Sequence, residues 1–241
     1  MSIVHFVYSY PYEDALLKLS GDKLTEKHSK VAVEKTKTAQ KIWNKYEKQI
    51  LDLFMEIYET KILEKRIVAY VSLIAPNSYS QPLTISLKYF ADIGDNARSK
   101  RAFVYATIHE IAHYFAYTRY PHNFFNKLYK KVLKINLLGS HGKNLHYLIQ
   151  AVEFGIVGEI FGSSYAEYSR NWVIGNSKGS EYRDSAKSLK KYKVPLDKTC
   201  LGFITAFKNT PVYTGDELNA DMSSSFGGIP RSLERGGCHK R

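Results

Sequence analysis

Cysteine is scarce in this chain of 241 residues, which contains only Cys200 and Cys238. The two cysteines lie far apart and neither belongs to a CxxC pair. The sequence therefore indicates neither a disulfide framework nor a zinc site built from thiolates. Any metal bound by this chain is expected to be held by His, Asp or Glu side chains.

A long apolar run is also missing. The most apolar stretch, residues 145–161, is interrupted by His146, Gln150, Glu153 and Glu159, whereas a membrane-spanning helix needs roughly 18 to 20 consecutive apolar residues. We predict a buried helix here and no membrane span. The first residues lack a basic stretch followed by an apolar one, so no secretory signal is visible and we expect a cytoplasmic protein.

Positive charge is abundant, with a formal net charge of +12. Such an excess raises the question of a nucleic acid or an acidic membrane surface as partner. The excess is spread along the chain, and its densest clusters have helical spacing: Lys127, Lys130, Lys131 and Lys134, then Lys187, Lys190, Lys191 and Lys193. Clusters of this kind are more often solvated helix faces than binding surfaces. A nucleic-acid partner stays open.

The hydrophobic pattern predicts an α+β fold in which a mostly helical domain carries a small β-sheet. Strands are predicted over residues 66–74 and 82–89. Helices are predicted over residues 29–65, 100–117, 124–135, 145–161 and 181–192. The stretch 163–170 is less regular. With 44% hydrophobic residues, the chain can bury a core of ordinary size.

These elements divide the chain into four predicted regions. Residues 1–66 form an N-terminal helical region that packs on the core, and residues 66–162 form the core itself. Residues 163–221 form a helical and irregular C-terminal region. Residues 222–241 are rich in Ser, Gly and charge with little to bury, so we expect a disordered tail there.

Residues 109–113 read His-Glu-Ile-Ala-His and carry the clearest chemistry in the sequence. His109 and His113 are four residues apart, so on a helix they share one face and can reach a single Zn²⁺. Glu110 is not a ligand in this pattern. It lies beside the metal, where its carboxylate can take a proton from the zinc-bound water and return it to a leaving amine. Because Ile108 and Phe115 flank the motif, its polar side chains need partners, which favours a metal site over coincidence.

The order of two strands, the motif helix and a later helix with an inward acidic residue resembles the zincin metallopeptidases, and among them the gluzincins. The resemblance covers residues 66–162. It implies a zinc hydrolase acting on peptide or protein substrates, with Glu110 as general base and His109 and His113 as ligands. It also implies a zincin-like fold with the sheet packed on the motif helix, and a substrate paired with the strand 83–89. The metzincin pattern is excluded because Arg119 stands six residues after His113.

The resemblance implies a glutamate on the following helix as the third ligand, and Glu153 is predicted in that role. Glu159 competes with it, but six residues rotate a helix by about 240°, so the two cannot both face the metal. His146 lies seven residues before Glu153 and shares its face. His141, which precedes a glycine, looks like the third-ligand segment of SprT-like proteases. These three residues stay open as alternatives.

Two other functions also stay open. One is a SprT-like protease recruited to nucleic acid, for which His141 and the positive charge are the support. The other is a non-catalytic scaffold or binding protein whose zinc is closed by four protein ligands. His122 is interpreted as a surface loop residue. No oxyanion-stabilising group is singled out among Tyr165, Tyr168 and His146.

Overall fold

The computed structural model describes residues 2–19, 21, 23–58, 62, 66–88, 90, 92–119, 141–177, 180–191 and 193–197, and it describes no side chains at 117–119, 141–145 and 180. Its strands are β1 (Val4–Tyr8), β2 (Ile67–Ser72), β3 (Tyr79–Ser80) and β4 (Leu83–Ser86). Its helices are α1 (Tyr10–Leu19), α2 (Glu26–Trp43), α3 (Glu47–Ile57), α4 (Ala97–Arg119), α5 (His141–Phe161), α6 (Ser163–Asn176) and α7 (Ser180–Lys191). The predicted α+β fold, mostly helical with a small sheet, is confirmed.

The sheet has the strand order β1-β2-β4-β3. β1 and β4 both pair in parallel with β2, whereas β3 pairs antiparallel with β4. One face of this sheet is covered by α2 and α4. The ring of Phe6 on β1 lies 6.1 Å from that of Trp43 on α2 and 5.4 Å from that of Phe103 on α4. Since alternate strand residues point to the same face, this face forms the sheet side of the core.

The opposite face of the sheet is covered in part by α1. The ring of Tyr12 lies 5.4 Å from that of Tyr70 on β2, and its hydroxyl is 3.1 Å from Oγ1 of Thr84 on β4. Val68 on the same face stays partly exposed. The sheet thus has one densely packed face and one that is only partly covered.

Helix α4 lies between the sheet and α5, and α6 and α7 pack on α5 in turn. α4 and α5 run antiparallel. This direction follows from four side-chain contacts between them: Arg101 with Phe161, Tyr105 with Phe154, His109 with Glu153, and His113 with His146. Two long helices therefore face each other along the motif, and the same contacts fix their register.

The strand that was expected to pair with substrate is an interior strand. β4 has β2 on one side, while Leu83 and Thr84 pair with β3 on the other. Ser86 donates its backbone N–H to Oγ of Ser78. Because its hydrogen-bonding groups are engaged on both sides, the substrate-pairing role implied for residues 83–89 does not hold for β4. The edge strand on this side of the sheet is β3, and β1 forms the other edge.

The prediction of a single helix over residues 29–65 is wrong. α2 ends at Trp43 and α3 begins at Glu47, with a turn between them. Oε1 of Glu47 accepts the backbone N–H groups of Ile3 and Val4, at 3.0 and 2.7 Å, and the indole N–H of Trp43 at 3.1 Å. The turn brings this buried carboxylate to the start of β1. Both segments are amphipathic, so the hydrophobic pattern does not show the break.

The other predicted elements agree with the structure in part. β2 and β4 lie within the predicted strands, and α4, α5 and α7 match the predicted helices, although α5 begins at His141. The irregular stretch predicted over 163–170 is wrong, because α6 begins at Ser163, directly after Gly162, whose φ is +89°. β1, β3 and α1 were not predicted. The predicted helix 124–135 and the tail 222–241 lie outside the described residues.

The region boundaries predicted at 66, 162 and 221 stay predictions. Residues 1–66 are nevertheless not helical throughout, since they contribute β1 to the sheet. In the part of the chain that the structure describes, none of the helices combines the length and apolar character needed to cross a bilayer.

Candidate metal centre

The histidine motif lies in the middle of α4. His109, Glu110 and His113 are all buried, and the neighbouring Ile108 and Ile111 are completely so. Apolar residues on the remaining faces of the helix pack it against the sheet and α5. This packing holds the polar side chains of the motif away from bulk water. Each of them therefore requires a hydrogen-bonding partner or a metal.

The two motif histidines present the same ring nitrogen to each other. Nε2 of His109 lies 3.1 Å from Nε2 of His113, and the ring centroids are 4.8 Å apart. Zinc–imidazole bonds of about 2.0 to 2.1 Å in tetrahedral geometry separate two ligand nitrogens by roughly 3.3 Å. The spacing of the pair therefore suits one shared metal ion.

A third imidazole comes from α5. One ligand atom from each of His109, His113 and His146 can be chosen so that all three lie within 4.8 Å of one another. The His146 ring is 6.0 Å from that of His109 and 5.0 Å from that of His113. Three imidazoles with no thiolate or carboxylate among them form a donor set that zinc accepts.

Glu153, the residue predicted as third ligand, lies on the other side of the His109 ring. It is completely buried, and its Oε2 contacts Nδ1 of His109 rather than joining the three histidines. A carboxylate at Nδ1 fixes the proton there and leaves Nε2 to bind metal, which is a common arrangement around zinc. The prediction of Glu153 as third ligand stays a prediction, and its contact with Nδ1 of His109 also suits a residue that orients a histidine.

Of the remaining ligand candidates, only Glu159 has a described side chain. Glu159 lies six residues beyond Glu153 on α5 and is not among the clustered side chains. His141 begins α5, but its side chain lies outside the described residues, as does the whole of His122. His146 was one of the open alternatives, and among the candidates whose side chains are described it lies with the motif pair.

Helix α7 adds two residues that were not predicted. The Tyr182 ring lies 4.2 Å from that of His146 and 5.4 Å from that of His109. Oε2 of Glu181 is 3.6 Å from Nδ1 of His146. No spacing in the sequence links residues 181 and 182 to the motif, because only the packing of α7 on α5 brings them together.

Tyr105 was also not predicted as a residue of the site, although its spacing from His109 on the helix could have indicated it. It lies four residues before His109, on the same face of α4, and its ring contacts that of Phe154. Burial raises the pKa of Tyr105 well above its ordinary value, and the neighbouring Glu153 carboxylate raises it further. The phenol therefore stays protonated beside Glu153.

The charges of the motif are set mainly by burial. Burial raises the pKa of Glu110 to about 7, although His109 opposes the shift. Burial lowers the pKa of His113 to about 2, and the two neighbouring histidines lower it further. Burial also lowers the pKa of His109, but Glu153 outweighs this and the pKa is raised overall. A neutral His113 is ready to donate its lone pair to a metal.

Comparisons with known proteins add no relative. A scan against family models, a search of curated proteins and a search of solved structures each returned no match.

Proposed function

We propose that this protein is a zinc-dependent metallopeptidase in which His109, His113 and His146 hold the metal and Glu110 is the general base. The observation that carries the proposal is the convergence of three buried imidazoles from two helices, with the motif pair facing each other through Nε2 at 3.1 Å. This proposal replaces Glu153 as third ligand by His146. Glu153 takes the role of holding His109.

Zinc would supply Lewis acidity, lowering the pKa of a coordinated water to roughly 7. The Glu110 carboxylate takes a proton from the attacking water while the water oxygen bonds to the substrate carbonyl carbon. It then delivers that proton to the amide nitrogen as the C–N bond breaks. Zinc beside Glu110 would favour its carboxylate form, which is the form that accepts the proton.

Two carboxylates contact the proposed ligands His109 and His146 at Nδ1. Glu153 holds Nδ1 of His109, and Glu181 faces Nδ1 of His146. Such partners orient the imidazole rings and strengthen them as donors. Because Glu153 comes from α5 and Glu181 from α7, the orientation of the site depends on three helices.

A peptide substrate is supported by the sheet edge beside the motif helix. β3 is the edge strand next to β4 and contacts α4. An extended peptide can add to a strand edge through main-chain hydrogen bonds. A peptide bound along β3 would run past the helix that carries Glu110. The resemblance of residues 66–162 to zincins supports the same substrate class.

The proposed chemistry is tested by Glu110→Gln. We expect the variant to bind one zinc per chain as the parent does, while hydrolysis of a fluorogenic peptide library falls by about 10²- to 10⁴-fold, because the general base is lost. Glu56→Gln, at an exposed position on α3, is the matched control and should keep full activity. Undiminished hydrolysis by zinc-loaded Glu110→Gln, or no cleavage by the zinc-loaded parent, would overturn the proposal.

The ligand assignment is tested by comparing His146→Ala with Glu153→Gln. We expect His146→Ala to lose stoichiometric zinc. Glu153→Gln should retain it with affinity reduced by about 10- to 100-fold, as for other residues that orient a ligand. The opposite ranking, with Glu153→Gln unable to bind zinc and His146→Ala still loaded, would restore Glu153 as the ligand.

A further inference from the structure

Gln150 is a buried amide whose hydrogen-bonding groups are unused. The side chain is 1% exposed, and neither Oε1 nor Nε2 has a hydrogen-bond partner within the described parts of the chain. Burying such a group without partners costs roughly 1 to 3 kcal/mol. An apolar side chain of the same size would avoid this cost, so the contacts among the described residues give no reason for glutamine here.

The position of Gln150 on α5 connects it with the metal centre. It follows His146 by four residues and precedes Glu153 by three. At 100° per residue these offsets correspond to rotations of about 40° and 60°, so the three side chains lie on one face of the helix. That face contributes both His146 and Glu153 to the site.

The register of α4 and α5 places Gln150 level with the motif. Glu153 contacts His109, and His146 lies beside His113 one turn further along α4. Because the helices are antiparallel, Gln150 falls between these two levels. At that level Gln150 lies beside the row formed by His146 and Glu153, offset from it by about 40° to 60° around the helix.

We propose that Gln150 is a positioning residue of this metal centre, where its amide oxygen accepts the ring N–H of His113 when metal is bound. The inference rests on the proposed zinc site. Nε2 of His113 points at His109, so metal binding through Nε2 puts the ring proton on Nδ1, which then requires an acceptor. Among the described residues of α5, Gln150 is the polar side chain between His146 and Glu153 on the face that contributes to the site.

The test compares Gln150→Met and Gln150→Glu. Methionine has similar volume and no acceptor, so Gln150→Met should leave metal-free stability unchanged or raised, yet weaken zinc binding by about 10- to 100-fold. Gln150→Glu keeps an acceptor and should retain zinc affinity. In zinc-loaded protein, the NMR signal of the slowly exchanging ring N–H of His113 should be present in the parent and lost in Gln150→Met.

The control is Thr107→Val, at a buried position on the same motif helix. Oγ1 of Thr107 already donates to the carbonyl of Phe103 at 2.9 Å. This variant should lose some stability and keep its zinc affinity, which is the reverse of the pattern for Gln150→Met.

Three results would overturn the inference. These are unchanged zinc affinity in Gln150→Met, an equal loss in Gln150→Glu, or a metal-free Gln150→Met that is strongly destabilised. All three are measured without hydrolysis. If the parent protein binds zinc but cleaves no peptide, the proposed peptidase activity is wrong and the inference about Gln150 can still be tested. A parent that binds no zinc overturns both.

Discussion

Glu110 is buried on a helix that is packed on several sides. This burial affects the stability of the fold as well as the proton transfers proposed for Glu110. Its pKa is raised from an ordinary value of 4.5 to about 7. The folded protein therefore holds the proton more tightly than the unfolded chain does. Ionisation of Glu110 between these pH values disfavours the folded state, so this contribution to stability is present below pH 4.5 and is lost as the pH rises through 7.

Replacing Glu110 by Gln should remove that pH dependence. In metal-free protein, Glu110→Gln should melt at a higher temperature than the parent at pH 7.5, and the difference should close towards pH 4.5. The gain is at most roughly 3 kcal/mol, from the size of the pKa difference. Thermal melting in the presence of a chelator measures it. A variant less stable than the parent at pH 7.5 would show that Glu110 is stabilised rather than strained by its surroundings.

The sequence supports part of this site at residue level. The spacing of His109, Glu110 and His113 predicts a shared helix face, and all three are buried together on α4. The choice between His146 and Glu153 could not be made from spacing, because both lie on one face of α5. It depends on which nitrogen of His109 faces which helix, and that orientation arises only from the packing of α4 against α5.

At the scale of elements, α5 depends on a close approach at Gly158. A Cβ at this position would lie 1.6 Å from the backbone oxygen of Leu196 and 2.8 Å from its carbonyl carbon. Leu196 belongs to the short segment that follows α7. Absence of a side chain at residue 158 therefore lets that segment cross α5 directly after α7.

Gly158→Ala should destabilise the protein by about 1 to 3 kcal/mol, because the backbone of the segment has to move away. Gly175→Ala on α6 is the matched control, since no atom lies within 4 Å of the added Cβ, and it should stabilise by up to about 1 kcal/mol. Urea denaturation of both variants provides the comparison. Equal stabilities for the two would contradict the close packing of residue 196 on α5.

Helices and strands were predictable where their own hydrophobic pattern was enough to define them. β2, β4, α4, α5 and α7 follow from alternation or helical spacing. The break between α2 and α3 could not be predicted from such a pattern, because it is accompanied by a contact of Glu47 with the start of β1, 43 residues away in sequence. β3 is two residues long, too short for any period to show.

At the scale of the whole molecule, the N-terminal residues and the motif belong to one core. β1 pairs with β2 along its full length, and Phe6 joins α2 to α4 through its contacts with Trp43 and Phe103. The predicted boundary at residue 66 was placed where a predicted helix gives way to a predicted strand. It does not separate the sheet, because β1 and β2 lie on either side of it.

We therefore expect residues 2–119 and the helices after them to unfold in a single transition. Trp43 is buried beside β1, whereas Trp172 is about half exposed on α6. In a Trp172→Phe variant, fluorescence would report on Trp43 alone and circular dichroism on all helices. The two urea midpoints should coincide. Separate midpoints would show that the sheet and the α5–α7 helices are independent units.

The enclosure of α4 between the sheet and α5 has a further consequence for the motion of the chain. Backbone amide hydrogens in such a helix reach solvent mainly when the whole structure opens, whereas those in exposed helices exchange through local openings. Deuterium should therefore enter α4, with its completely buried Ile108 and Ile111, later than it enters α6, where Trp172 faces solvent. The histidine pair would then be held by the part of the chain that opens last.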